Sequence, residues 1–216
     1  MGIVQELLKD IPVPKMVKVK VSFDDTCIGD VATELKAKLE QDRIKQLVKP
    51  GMEIAIAVGS RGLDRLVEIT ATTVKFLQEA GAKPFIVPSM GSHGGATAEG
   101  QREVLAHLGV TEETVNCEIR SSMEVVQLGT LPNGLPVYVD KFASEADGIV
   151  VINRIKPHTA FRGPVESGIM KMISIGLGKQ KGAEACHQLG FKYMAENVPA
   201  MARMIMDQKP LLFGVA

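Results

Sequence analysis

The 216-residue sequence has no tryptophan, and aromatic residues make up only 4% of it. Platforms that stack nucleic-acid bases are built from aromatic rings, so single-strand recognition is not expected. Charge gives no help to a polyanion either. The 25 Lys and Arg balance 25 Asp and Glu, which leaves no net attraction to nucleic acid or to an anionic membrane. Cysteine is scarce: Cys27, Cys117 and Cys186 are odd in number and form no C-x-x-C pair. That pattern argues against a disulfide framework and for a reducing compartment, the cytoplasm. No run approaches the ~18 apolar residues of a membrane span. The opening MGIVQELLKD lacks the basic start and long apolar core of a signal peptide. Met-Gly begins a myristoylation pattern, but Glu6 stands where Ser or Thr is expected.

What is present is an α/β pattern. Residues 16 to 23, MVKVKVSF, alternate Val17, Val19, Val21 and Phe23 with polar residues. This period of two predicts an edge strand with one wet face. Residues 31 to 48 carry apolar residues near helical spacing, and Pro50-Gly51 ends that helix. Residues 1 to 50 thus read as a strand and helix packed on the main domain.

From residue 51 the text becomes strand, glycine loop, helix, twice in succession. EIAIAV (53 to 58) precedes the loop GSRG and a helix closed by Gly81; KPFIVP (83 to 88) precedes SMGSHGG and a helix capped by Thr97. That order is the mark of βαβ units. Pro132-Asn133-Gly134 between two apolar runs predicts a β-hairpin excursion. ADGIVVIN (146 to 153) returns to a buried strand. Helices are expected near 183 to 195 and 198 to 208, with Pro199 in the first turn of the second. The expected fold is a Rossmann-like parallel sheet flanked by helices over residues 51 to 216. The closing LLFGVA reads as the start of another buried strand, so the chain is expected to be the first domain of a longer protein.

Three loops leave the C-terminal ends of three predicted strands, carrying Arg61 (GSRG), His93 (GSHGG) and His158 (KPHTAF). In open α/β sheets that edge is where ligands bind. Arg supplies a planar cationic fork for a carboxylate, and imidazoles serve as acid or base near neutral pH. His107 sits at a helix C-terminus, where a cation meets the favourable end of the dipole, and is expected to be structural. Lys171 and His187 are sixteen residues apart; on one unbroken helix they would lie about 24 Å apart. If both touch one ligand the helix must break, and Gly176 and Gly178 are placed for that. A nucleophilic Lys171 needs burial or cationic neighbours to lose its proton, and the frame GIMKMI supplies apolar surroundings. Lys179 and Lys181 read as surface lysines, and Cys186 as packed in a helix. Two other readings stay open: an open zinc hydrolase site built from His93, His158 and His187, and a non-enzymatic nucleotide-binding domain with phosphate at helix N-termini.

In order, GSRG, GSHGGAT, and then His158, Lys171 and His187 resemble the N-terminal domain of the nickel-dependent lactate racemase family, from about residue 50 onward. The resemblance implies a racemase or epimerase of a small 2-hydroxy acid that works by proton-coupled hydride transfer. The implied cofactor is the nickel-pincer nucleotide, a pyridinium mononucleotide gripping nickel through sulfur and carbon. By resemblance Lys171 is its covalent tether through a thioamide and His187 is a nickel ligand. His93 and His158 are the acid/base pair, and Arg61 holds the substrate. Enzymes that build the cofactor are implied partners, and a homodimer stays open. The family sets its lysine in Ser-Gly-Gly-x-Lys about ten residues after the histidine. Here the frame is Ser167-Gly168-Ile169-Met170-Lys171, thirteen after His158, so a reshaped cofactor pocket is expected. Residues that the family draws from a second domain lie outside the sequence, and the chain alone is expected to be inactive or nearly so.

Overall fold

The computed structural model of the chain describes residues 2–12 and 14–216. Among the described residues six strands form two sheets: β1 (Glu53–Val58), β2 (Lys83–Pro88), β3 (Val125–Thr130), β4 (Pro136–Asp140), β5 (Gly148–Ile152) and β6 (Leu211–Val215). The helices are α1 (Ile3–Leu8), α2 (Val31–Leu39), α3 (Asp42–Lys45), α4 (Leu66–Glu79), α5 (Ala98–His107), α6 (Glu112–Val115), α7 (Lys141–Glu145), α8 (Ile169–Lys171), α9 (Lys179–Gln188) and α10 (Met194–Gln208). A π-helical stretch, Met172–Gly176, continues α8.

β2, β1, β5 and β6 pair side by side in that order, all parallel. β1, β2 and β5 read as near-continuous apolar runs because both faces of this sheet are covered. Ala55, Ala57, Phe85, Val87, Ile149 and Val151 face one core, filled by β4, the π-helical stretch, α9 and α10. Ile54, Ile56, Val58, Ile86, Val150 and Ile152 face the other, filled by α2, α4 and α5. In α4, Thr70 and Thr73 stay buried because each hydroxyl donates to a backbone carbonyl one turn back, at 2.8 Å. β3 and β4 form the expected antiparallel hairpin around Asn133-Gly134, and α10 packs across it. The α/β, Rossmann-like parallel sheet with a hairpin excursion is therefore what the chain builds.

Three expectations need correction. Residues 16–23 form no strand: Val17 is 85% and Phe23 82% exposed. The alternation is real, but a strand needs a neighbour to take up its backbone hydrogen bonds, and no described strand lies beside it. The helix expected over 31 to 48 is split into α2 and α3. Helix α10 begins four residues before 198, so Pro199 lies in its second turn rather than its first.

Strand order explains where a site can form. The connection from β1 runs outward to β2, whereas β5 lies on the other side of β1 and leads on to β6. Chain leaving β1 and β5 at their C-terminal ends therefore diverges, and a crevice opens between the two loops.

Candidate active site

The loop after β1 is Gly59-Ser60-Arg61-Gly62, and that after β2 is Ser89 to Ala96; the loop after β5 runs from Asn153 through His158. Together with α8, the π-helical stretch and α9 they line one cleft of about 770 Å³. Arg61, His93, His158, Lys171 and His187 all line it, so the residues picked out across 127 positions of sequence share one cavity. Arg154 and Lys156 line it too, and no Asp or Glu does. Four cationic side chains without a carboxylate make a cleft suited to an anionic ligand.

Each functional loop is held by specific bonds. Gly94 and Gly100 approach so closely that a Cβ on Gly94 would lie 2.5 Å from the Gly100 carbonyl. Thr97 caps α5 by accepting from the Gly100 N–H at 3.0 Å, which fixes the turn that follows His93. The His93 loop is also bonded to the stretch that carries Lys171. The Gly91 N–H donates to the Gly176 carbonyl at 3.1 Å, and the Ser89 hydroxyl donates to the Met172 carbonyl at 2.8 Å. A Cβ on Gly176 would collide with Ser89, so the close approach requires glycine there. In the His158 loop, the Glu166 carboxylate accepts from the N–H of His158 at 2.8 Å and from that of Gly163 at 3.2 Å. Ser167 accepts from the Lys156 N–H at 2.8 Å.

The break between Lys171 and His187 is present: α8 and the π-helical stretch end at Gly176, and α9 starts at Lys179. The left-handed residue at the break is Lys179, at φ 55°, not a glycine. Lys179 is not the surface lysine expected. It is 0% exposed, as is Asp140, whose Oδ2 lies 3.3 Å from Nζ. Nζ also donates to the Pro88 carbonyl and to Gln101 Oε1, while Asp140 Oδ2 makes no hydrogen bond and serves as the counter-charge. Gln101 in turn donates to the carbonyls of Gly91 and His93, at 2.8 and 3.3 Å. Burial pulls Lys179 below its ordinary pKa and pushes Asp140 above its own, while the attraction between them opposes both.

Electrostatics inside the cleft favour neutral bases. His93 is lowered by desolvation first, then by Arg61 and Lys171. His158 is lowered by desolvation, Lys171 and Lys156. Lys171 is lowered by burial, then by Lys156 and Arg61, the condition that a nucleophilic amine requires.

The partner of each Nδ1 differs among the three histidines. In His187 it donates to the Ala183 carbonyl at 2.6 Å, leaving a lone pair on Nε2, the form that binds metals. In His158 it accepts the Ala160 N–H at 3.1 Å. In His93 it is hydrogen-bonded to the Ser60 hydroxyl. His107, outside the cleft, bonds the Glu103 carbonyl at 2.8 Å in the last turn of α5, a structural role as expected. Cys186 is buried against Met194, and desolvation pushes its thiol up to about 11, so it is packing rather than nucleophile.

Among the described residues no three His, Cys, Asp or Glu side chains gather where they could hold a metal. His93, His158 and His187, the residues of the alternative zinc reading, line the cleft without meeting as such a group. Ser60, Gln101, Asp140, Arg154 and Lys156 escaped the sequence reading. Only Ser60 carried a signal, as the neighbour of Arg61 in GSRG. No described helix is long and apolar enough to cross a membrane.

The fold is similar to that of a solved structure, the lactate racemase apoprotein from Thermoanaerobacterium thermosaccharolyticum, at 20% identity and a TM-score of 0.54. The match covers 83% of this chain and 46% of that one, so the chain spans about half the length of that relative. No curated protein matches it. The family model described as the lactate racemase N-terminal domain matches residues 9–198, and the chain belongs to that family.

Proposed function

We propose that this chain supplies the cofactor-binding and substrate-binding half of an enzyme that inverts the carbon bearing the hydroxyl of a small 2-hydroxy acid. The observation that carries this is the meeting of Arg61, His93, His158, Lys171 and His187 at one anion-attracting cleft. Family membership supports a racemase-type role.

Arg61 binds the substrate carboxylate with a two-toothed guanidinium grip that a lysine cannot supply. His93 and His158, both held toward the neutral form, hold or move the hydroxyl proton. The residues fit the nickel-pincer nucleotide on two counts. Lys171 is an amine with a depressed pKa at the cleft wall, ready to form a thioamide. His187 keeps a free Nε2 lone pair for nickel. When bound, this group supplies the electron sink for the α-carbon that no side chain offers. Arg154 and Lys156 remain for a second anionic group of the ligand.

Intact-mass spectrometry and peptide mapping of the chain co-expressed with the enzymes that build the cofactor test the reading. The expected result is an adduct on Lys171 that disappears in Lys171→Ala. Loading with no adduct, or an adduct on another lysine, overturns the tether and the cofactor together.

A further inference from the structure

His93 and His158 share the acid/base role, yet their Nδ1 atoms are held by chemically different partners. The neutral imidazole carries one proton, and whichever nitrogen accepts a hydrogen bond cannot be the one that bears it. A backbone N–H only donates. His158 Nδ1 accepts from the Ala160 N–H at 3.1 Å, so neutral His158 carries its proton on Nε2. It can donate a hydrogen bond from that nitrogen but cannot take up a proton there. The loop that supplies Ala160 is itself pinned, because the N–H of His158 is held by Glu166 at 2.8 Å.

His93 has a different partner. A serine hydroxyl both donates and accepts, and Ser60 Oγ is bonded to His93 Nδ1. If the hydroxyl donates, His93 presents Nε2–H; if it accepts, His93 presents a bare Nε2 lone pair. Rotation of the hydroxyl accommodates either form without movement of the ring, and the ring proton passes between Nδ1 and Nε2 by exchange with solvent. Around a catalytic histidine a carboxylate would hold the ring in one tautomer, with Nδ1–H donated to it, but the cleft lining contains no Asp or Glu. His93 is kept from drifting, because Gln101 binds its carbonyl at 3.3 Å and that of Gly91 at 2.8 Å.

We propose that Ser60 is a positioning residue for His93, letting that imidazole meet a hydroxy acid as either proton donor or proton acceptor, while Ala160 fixes His158 as a donor alone. The inference rests on the reading of the cleft as a hydroxy-acid site and divides the labour within it. Removal of the hydroxyl proton falls to His93. The proton passes from the substrate oxygen to Nε2, the O–H electron pair stays on that oxygen, and the resulting imidazolium donates Nδ1–H to Ser60 Oγ. His158 donates its Nε2–H to the same substrate oxygen and stays neutral.

Long-range proton–nitrogen correlation spectra of the nitrogen-15-labelled chain, recorded where all four imidazoles are neutral, read each tautomer. Signals are assigned with His93→Gln and His158→Gln. His107, whose Nδ1 faces the Glu103 carbonyl, serves as the internal standard for the Nδ1–H form. The expected spectrum shows His158 as Nε2–H and His93 averaged between both forms. Ser60→Asp, which replaces the two-way hydroxyl by an acceptor, is expected to shift His93 fully to Nδ1–H and leave His158 unmoved. His158 found as Nδ1–H, His93 found in a single form in the unsubstituted chain, or a His93 signal indifferent to Ser60→Asp each overturns the proposal. Because the chain without cofactor is measured, these outcomes are independent of whether an adduct forms on Lys171.

Discussion

His93 sits among neighbours that all act on its charge in one direction. Desolvation, Arg61 and Lys171 each disfavour the imidazolium, so its pKa in the folded chain lies below the ordinary 6.5. Unfolded chain, with the ordinary value, binds the proton more readily, so folding stability from this group is present above about 6.5 and is lost as pH falls through the lowered folded value. A proton NMR titration should therefore place the His93 midpoint below the ordinary imidazole value of about 6.5. Arg61→Gln should move the His93 midpoint up, and an unmoved midpoint would remove Arg61 from its surroundings. Arg61 and His93 could be selected from the sequence because each stands in a glycine-bounded loop after an apolar run. Their mutual influence could not, since 32 positions separate them and only the sheet brings them together. Ser60 is intermediate: it was adjacent to a chosen residue, but a serine in a loop has too many ordinary uses to stand out.

At the scale of elements, the buried pair Lys179–Asp140 joins the hairpin to α9 and, through Gln101, to the loop after β2. Lys179→Met leaves Asp140 as an uncompensated buried charge, and Asp140→Asn does the same to Lys179 while preserving an oxygen to cap α7 at Ala143. Each single change should destabilise by about 3–5 kcal/mol, and the double variant should lose clearly less than their sum. Methionine keeps the left-handed backbone at position 179 but also forfeits the bonds to Pro88 and Gln101; that loss is common to both arms of the cycle, so the difference reads the coupling of the two charges. Urea denaturation of the four proteins measures the cycle, and strict additivity would show that the two charges do not depend on each other. The helix break itself was legible, because sixteen residues of unbroken helix cannot bring Lys171 and His187 to one ligand. Its mechanism was not. Gly176 is required by contact with Ser89, a packing constraint with no local signature. The left-handed turn fell on a lysine that composition alone marks as a surface residue, because the counter-charge that permits its burial lies 39 positions earlier.

For the whole molecule, the order of the sheet decides where chemistry can occur, and this followed from the alternation of strands, glycine loops and helices. Apolar runs of five or six residues gave β1, β2 and β5 because burial on both faces leaves little choice of side chain. The same reasoning placed a strand at 16–23, and there it failed: periodicity reports the face a segment would bury, not whether a neighbour exists. The segment is exposed and unpaired within the described residues, and it holds Lys18 and Lys20, with Lys15 just before it. Loops lacking packed side chains and backbone bonds are cut first by proteases. Brief trypsin treatment should therefore cleave at these lysines before any site in α4 or α9, and the remaining core should melt at the temperature of the intact chain. Repeating the digestion over a range of protein concentrations adds a second reading. Protection that grows with concentration would mean that the alternating face of Val17, Val19, Val21 and Phe23 is covered by another copy of the chain; cleavage at the same rate throughout would mean that it stays open in the isolated chain.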